Sequence, residues 1–427
     1  MHKKLGLWTL TALVAGNMVG AGIFLFPANL ASIGSISLYS WGFTALGAFL
    51  LAVVFSKMSL LIPKSGGPYA YARAGFGDFI GFQTAYGYWL SIWISNAAIA
   101  LAATNYMAVF WPILQHPLPN CFVAIAILWV FTIINACGVR AAGVTQLITV
   151  ILKFIPLLAI AIFGWFYFHP SYIVDSYNVT GQSNFHAVSE GAALTLWAFI
   201  GLESATIPVD LVNNPSRNIP LATFLGTLLA ALVYILSSTV IMGMIPGVIL
   251  AKSISPFAAA ADMIFGHWGK WIIAIGAIIS CVGSLNGWVL LQGQMPMAVA
   301  DDRLFPKIFA KRSKKGVPVR GLIVTSLLIT SFLLFTISPN LVEQFKFIVL
   351  IATLVTLLPY FYTSFAEIIC LQHEFGFKKA AHILVAILAA LYVFWAIVGS
   401  GERVFFYGSI LIFSGIPLYV LMIRRRK

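Results

Sequence analysis

Gly16-Asn17-Met18-Val19-Gly20-Ala21-Gly22-Ile23-Phe24 lies in the middle of an apolar segment running from about Leu7 to Leu30. The segment is long enough to cross a bilayer. Its Gly-Ala-Gly centre removes the side chains that keep a helix rigid, and a local loss of helical hydrogen bonds would bare backbone N–H and C=O groups at membrane depth. Irregular backbone is tolerated there only where it is buried in protein or lines a wet cavity. Two readings fit this stretch: a discontinuous helix that holds a solute, or a small-residue helix-packing face.

Composition supports a membrane setting. The 427 residues are 61% hydrophobic and 9% charged, with mean hydropathy +0.97; soluble domains carry about a quarter charged residues. The N-terminal apolar run is too long for a cleavable signal and continues into the glycine break, so the start of the chain is expected to be mature protein. Cys121, Cys137, Cys281 and Cys370 lack disulfide or metal-ligand spacing, and neither metal nor cofactor is expected.

About twelve spans are expected, near 7–31, 37–62, 80–112, 118–137, 143–168, 188–212, 218–246, 268–300, 320–338, 341–368, 379–399 and 404–424. The net charge of +13 has the sign of a nucleic-acid binder, but with the N-terminus inside, 20 of the 25 basic residues fall on cytoplasmic segments, including the run from Arg303 to Arg320. The positive-inside rule then places both termini in the cytoplasm. The basic surplus reports topology.

In the third span, Tyr88, Ser91, Ile92 and Asn96 recur at helical spacing on broadly one face. Asn96 can serve as interhelical glue or as a solute ligand. In the fifth span, Lys153 sits about ten residues from the cytoplasmic end. A charge at that depth must snorkel, pair or give up its proton, so Lys153 is either a snorkelling residue or a proton carrier. The sixth span repeats the first anomaly in Trp197-Ala198-Phe199-Ile200-Gly201-Leu202-Glu203-Ser204-Ala205-Thr206-Ile207-Pro208, with glycine followed closely by a carboxylate and a proline. An intramembrane ionisable group marks a functional site by default. The two breaks are separated by about 180 residues, and each begins a set of five spans. Interruptions at matching places in two halves point to an inverted-repeat transporter with its site between them, the last two spans lying outside the repeat. No phosphate-binding loop or hydrolytic triad appears, so transport driven by gradients rather than ATP, and no enzyme activity, is expected.

The Gly16–Phe24 stretch, Gly66-Gly67-Pro68-Tyr69-Ala70-Tyr71, Trp197–Ser204, Asn214-Pro215-Ser216-Arg217-Asn218 and Ala300-Asp301-Asp302-Arg303-Leu304-Phe305-Pro306 together resemble the amino acid/polyamine/organocation superfamily. Within it the chain most resembles the basic amino acid/polyamine antiporter family, nearest its arginine/agmatine branch. The resemblance covers essentially the whole length. It implies an all-α, LeuT-like fold in one transporter domain: a 5+5 inverted repeat (about 7–168 and 188–368), discontinuous helices 1 and 6, and two C-terminal helices (about 379–424). It also implies a bacterial inner-membrane location and a homodimer.

For the site, the resemblance implies that backbone around Asn17, Met18, Gly20, Ala21 and Gly22 receives a substrate carboxylate. Carbonyls near Trp197 and Ile200 would accept the α-ammonium, and Trp197 and Trp288 would sandwich the stem or cationic head. Asn96 would hold the distal end. Tyr88, Glu203 and Tyr360 would form a cytoplasmic-side gate in which Glu203 senses acid. The chain departs from the arginine antiporter's pattern in a more apolar wall, Ala21, Ile92, Ile99, Ala198 and Ala352, with Ser91 adding a hydroxyl. That leaves room for another cationic, or a neutral, amino acid. Lys153 also departs, since the antiporters carry an uncharged residue there; in proton-coupled importers of the superfamily a lysine stands in for sodium. The expected partners are thus small amino acids or amines and the bilayer. Exchange, proton-coupled uptake and a non-transporting sensor or channel remain distinguishable only by assay.

Overall fold

A computed structural model describes residues 6–64, 66–137, 142–206, 212–373 and 376–424, with 142–152 and 373 by backbone alone. Lys3, Lys4, Ser65, Arg140, Ile207, Pro208 and Arg425 to Lys427, which the sequence reading uses, lie outside these residues. The described residues form helices and turns, as they must where lipid offers no hydrogen-bond partner to an open backbone.

In chain order the helices are α1 (Leu7–Met18), α2 (Gly22–Ala31), α3 (Ser37–Leu61), α4 (Pro68–Phe76), α5 (Asp78–Met107), α6 (Pro117–Cys137) and α7 (Ala142–Phe163). They continue with α8 (Pro170–Asp175), α9 (Asn184–Leu196), α10 (Pro215–Met244), α11 (Gly247–Leu250) and α12 (Pro256–Asp301). The last are α13 (Lys307–Ala310), α14 (Val319–Phe335), α15 (Leu341–Cys370), α16 (Phe377–Gly399), α17 (Glu402–Phe413) and α18 (Gly415–Arg424). Eleven of the twelve expected spans fall on a helix or a broken pair of helices, and the sixth, described as far as Thr206, on α9 and two short turns. By length and apolar composition alone, eight spans among the described residues reach across a membrane, or nine with the bent pair α1/α2. α14 is short at 17 residues. α12 contains a turn the sequence reading did not anticipate: Gly266 adopts φ 67°, ψ −166° and separates an outer arm from the spanning helix.

α5 is the axis of the molecule. Every residue from Gly81 to Tyr106 is buried, and α12 and α15 pack along it. A helix without a polar face belongs in the centre of a large protein. α6 and α16 lie outside, presenting Phe122, Val130, Ile133, Leu384, Leu391 and Phe394 outward. Exposed apolar side chains at helical spacing form the surface a bilayer requires.

Both expected breaks are present. α1 and α2 meet at a 44° bend across Val19 to Ala21. After α9 the chain runs through a tight turn at Trp197–Phe199 into Ile200 (ψ 128°) and Gly201 (φ 110°), then a second at Leu202–Thr206. Gly201 is required, because a left-handed φ there disfavours any Cβ, which would also lie 3.3 Å from the Asn17 backbone carbon. The re-entry before α4 uses Gly66 (φ 123°) and Gly67 (φ 52°) in the same way. Beyond it, Tyr69 and Arg73 each donate to Asp302, at 2.7 and 2.9 Å, tying α4 to the end of α12.

Candidate functional site

The two breaks face each other. Asn17, the second-last residue of α1, donates from Nδ2 to Ser204 Oγ at 2.8 Å, and Ser204 donates to the Gly201 carbonyl at 2.5 Å. Between them lies a cavity of about 20 Å³ lined by Asn17, Met18, Gly20, Ala21, Gly22 and Ser95, with Ile99, Trp197, Ala198, Ile200 and Trp288 completing it. That volume admits about one water molecule, so the space beside the breaks is closed down in this state. The α2 N-terminus opens onto it, with its leading N–H groups and the positive end of its dipole, a setting that favours a carboxylate.

Trp197 closes the side away from the N-terminus. Its indole packs edge-on against Phe26 and Phe345, with centroids at 6.1 and 6.0 Å, and donates Nε1–H to Ser95 Oγ at 2.9 Å. Gly22 makes this possible. A Cβ on it would sit 2.6 Å from Trp197 Cζ3. Farther out, Lys346 on α15 pairs with Glu190 on α9 at 2.5 Å.

Toward the N-terminal side lies a second cavity, of about 240 Å³, whose lining includes Asn17, Tyr88, Lys153, Ser204, Ser284 and Trp288. Asn17 and Trp288 line both cavities, so the Trp288 side chain stands between them. Beside the second cavity, Glu203 is fully buried. It accepts from Tyr88 Oη at 2.7 Å, Tyr360 Oη at 2.8 Å and the Gly201 N–H at 3.1 Å, which binds the second break to α5 and α15 at one carboxylate. Buried hydrogen bonds to a charged group contribute about 1.5–3 kcal/mol each.

Lys153 does not snorkel. It shares the inward face of α7 with Leu157 and Ile160, is 2% exposed, and donates to Ser284 Oγ at 2.8 Å and to the Gly16 carbonyl at 3.4 Å. Gly16 immediately precedes the first break. The lysine therefore ties α7 and α12 to the end of α1 beside the first break.

Asn96 and Ser91 are placed differently from the single face read in the sequence. Asn96 is fully buried and donates to Gln292 Oε1 at 2.7 Å; Gln292 in turn donates to Ser326 Oγ at 3.0 Å, which meets Thr132 at 2.7 Å. Ser91 bonds Thr356 on α15. Neither lines either of these two cavities. At about 100° per residue, Asn96 stands eight residues and roughly 80° around the helix from Tyr88, whereas Ser95 and Ile99 return to within roughly 20° of it. The face that meets the cavities is Tyr88, Ser95 and Ile99, and the seven- and eleven-residue intervals were the signal for it. The carbonyls of the second break are also partly committed: Ala198 accepts from Tyr234 Oη at 3.1 Å and Trp197 from the Ile200 N–H at 3.2 Å.

A family model described as amino acid permease matches residues 5–422. The putrescine transporter PotE of Escherichia coli K12 is 39% identical over 424 residues, covering 98% of this chain and 96% of the relative. The cadaverine/lysine antiporter of the same strain is 36% identical over 405 residues, covering 94% and 90%. PotE of Haemophilus influenzae is 38% identical over 420 residues, covering 98% and 96%.

Proposed function

This chain belongs to the amino acid permease family, and from that membership we propose that it is an antiporter exchanging a cationic amino acid for a linear diamine by alternating access across a bacterial inner membrane. It is a multi-pass membrane transporter and not an enzyme. Relatives named for putrescine and for cadaverine and lysine draw the substrate reading toward linear amines and away from a guanidinium. The observation that carries the proposal is the lining of the cavity between the breaks, which offers indoles and backbone dipoles and no acidic side chain to a substrate once the space opens. Indole faces attract a cation without fixing its geometry, which suits an ammonium at either end of a flexible stem. The α2 N-terminus receives the carboxylate of the amino acid and is left to water when the diamine is bound.

Exchange requires that neither side open without a cargo. Trp197 with Phe26 and Phe345 closes one side, and the Tyr88–Glu203–Tyr360 cluster closes the other. Glu203 sits two residues from the Gly201 hinge, so a change in its protonation acts on the break directly. The proposal extends to both termini on the cytoplasmic side, two repeats at about 7–168 and 188–368, and a homodimer. A second reading, proton-coupled uptake, is favoured by Lys153, whose contact with the Gly16 carbonyl supplies a cation at the first break.

Proteoliposomes test the choice. Labelled putrescine is offered to vesicles that are empty or loaded with lysine, ornithine, arginine or a neutral amino acid. Uptake that depends on a loaded lumen is expected, with the cationic amino acids most effective. Accumulation into empty vesicles under an imposed proton gradient would overturn the antiporter reading in favour of the second.

A further inference from the structure

On the lipid-facing side of the molecule, away from both transport cavities, a groove of about 290 Å³ runs between α3, α10 and α16. Its walls are Phe49, Val53 and Leu60 from α3 and Phe224 from α10, and all but Phe49 are more than a third exposed. The Phe49 and Phe224 rings meet at 5.2 Å and close the end nearest the middle of the membrane. From Leu60 to Phe49 is eleven residues, about 16 Å of helix. That is about half of a hydrocarbon core of about 30 Å, the depth of one leaflet.

The other end carries basic residues. Lys57 and His382 line it. Arg217 stands one turn before Pro220 on the stripe of α10 that carries Phe224, and Lys378 stands one turn before His382 on α16; both are exposed. α10 and α16 also begin at this end, so two helix N-termini add positive partial charge. Glu367 is fully buried, with one carboxylate oxygen 3.1 Å from His382 Nδ1.

We propose that this groove binds one anionic phospholipid of the leaflet on the N-terminal side, its phosphate held by Lys57, Arg217 and Lys378 and one acyl chain lying along α3 as far as Phe49. An apolar trough one leaflet deep, capped by basic residues at the headgroup level, matches both parts of such a lipid and neither a soluble anion nor a neutral lipid as well. α3 packs against α10, which in turn packs on α1, so a lipid seated here braces helices beside the first break.

The test measures lipids retained by the purified full-length protein in native mass spectrometry, with thermal stability in parallel. Phosphatidylglycerol, phosphatidylcholine or inorganic phosphate is titrated in. Phosphatidylglycerol is expected to be retained about tenfold over phosphatidylcholine and to raise the melting temperature. Lys57→Gln with Arg217→Gln should bring the two lipids to parity. Val53→Trp, which fills the groove from its lipid-facing wall and keeps every cation, should lower retention of both even if the charge variant does not fold. Equal retention of the two lipids by the unsubstituted protein, or retention unchanged in Val53→Trp, would overturn the proposal. Stabilisation by phosphate alone would make the site one for soluble anions, and a dimer that dissociates in Val53→Trp would show a second copy in the groove; either result overturns the lipid.

Discussion

Gly22→Ala isolates the packing of the first break against the second. Gly22 opens α2 with a helical backbone, so a methyl group costs nothing in φ, and the helix propensity of alanine over glycine would stabilise an interior position by about 1 kcal/mol. Space decides the sign. The new Cβ would lie 2.6 and 2.7 Å from two ring carbons of Trp197 and 2.9 Å from Phe26 Cε2, all closer than carbon atoms approach. Trp197 is held by Ser95 and boxed between Phe26 and Phe345, so it cannot yield without breaking the closure. Overpacking of this kind costs about 1–3 kcal/mol, or roughly 5- to 150-fold in an equilibrium. The closed state should lose that factor, read as weaker apparent affinity in exchange assays and as altered tryptophan fluorescence on substrate addition. Gly20→Ala is the control. Its Cβ would meet Ser284 Oγ at 3.5 Å, an ordinary contact, so Gly20→Ala should leave the packing and fluorescence of Trp197 unchanged and lower affinity less than Gly22→Ala, even though Gly20 lines the same cavity. Trp197→Phe in the Gly22→Ala background should restore part of the affinity by making room. Equal losses in the two glycine variants, or none in Gly22→Ala, would refute the steric argument.

Glu203→Gln keeps the shape of the Tyr88–Tyr360 cluster but cannot titrate; it should retain substrate binding and flatten the pH dependence of exchange between acidic and neutral vesicles, and an unchanged profile would remove Glu203 from proton sensing. Lys153→Ala should leave amino acid–diamine exchange in place and, if the second reading holds, abolish gradient-driven accumulation into empty vesicles; loss of both together would make Lys153 a structural tie between Ser284 and Gly16. Asn96→Ala leaves Gln292 Oε1 without its buried donor and should cost about 1–3 kcal/mol of stability, seen as a lower melting temperature, with little change in apparent affinity; a large affinity loss at unchanged stability would return Asn96 to the substrate.

Much of this protein is written locally. Long apolar runs specify helices in a membrane because nothing else satisfies the backbone there, and glycines mark the breaks, Gly201 through its left-handed φ and Gly22 through the close approach of Trp197. Glu203 and Lys153 announced themselves because a charge at membrane depth is too costly to be casual. What the sequence determined by itself is therefore the membrane setting, the positions of the spans, the two interruptions and the ionisable residues worth asking about. The tertiary structure decided which partner each took: Lys153 turned inward to Ser284 and Gly16, Glu203 received Tyr88 and Tyr360 from two other helices, and Asn96 went to Gln292 while Ser95 took the place beside Trp197. Helical periodicity ranks residues on a face only to within about one position, or about 100°. Which side of that face meets a cavity depends on how α12 and α15 cross α5, and those crossings are set by contacts between residues hundreds of positions apart.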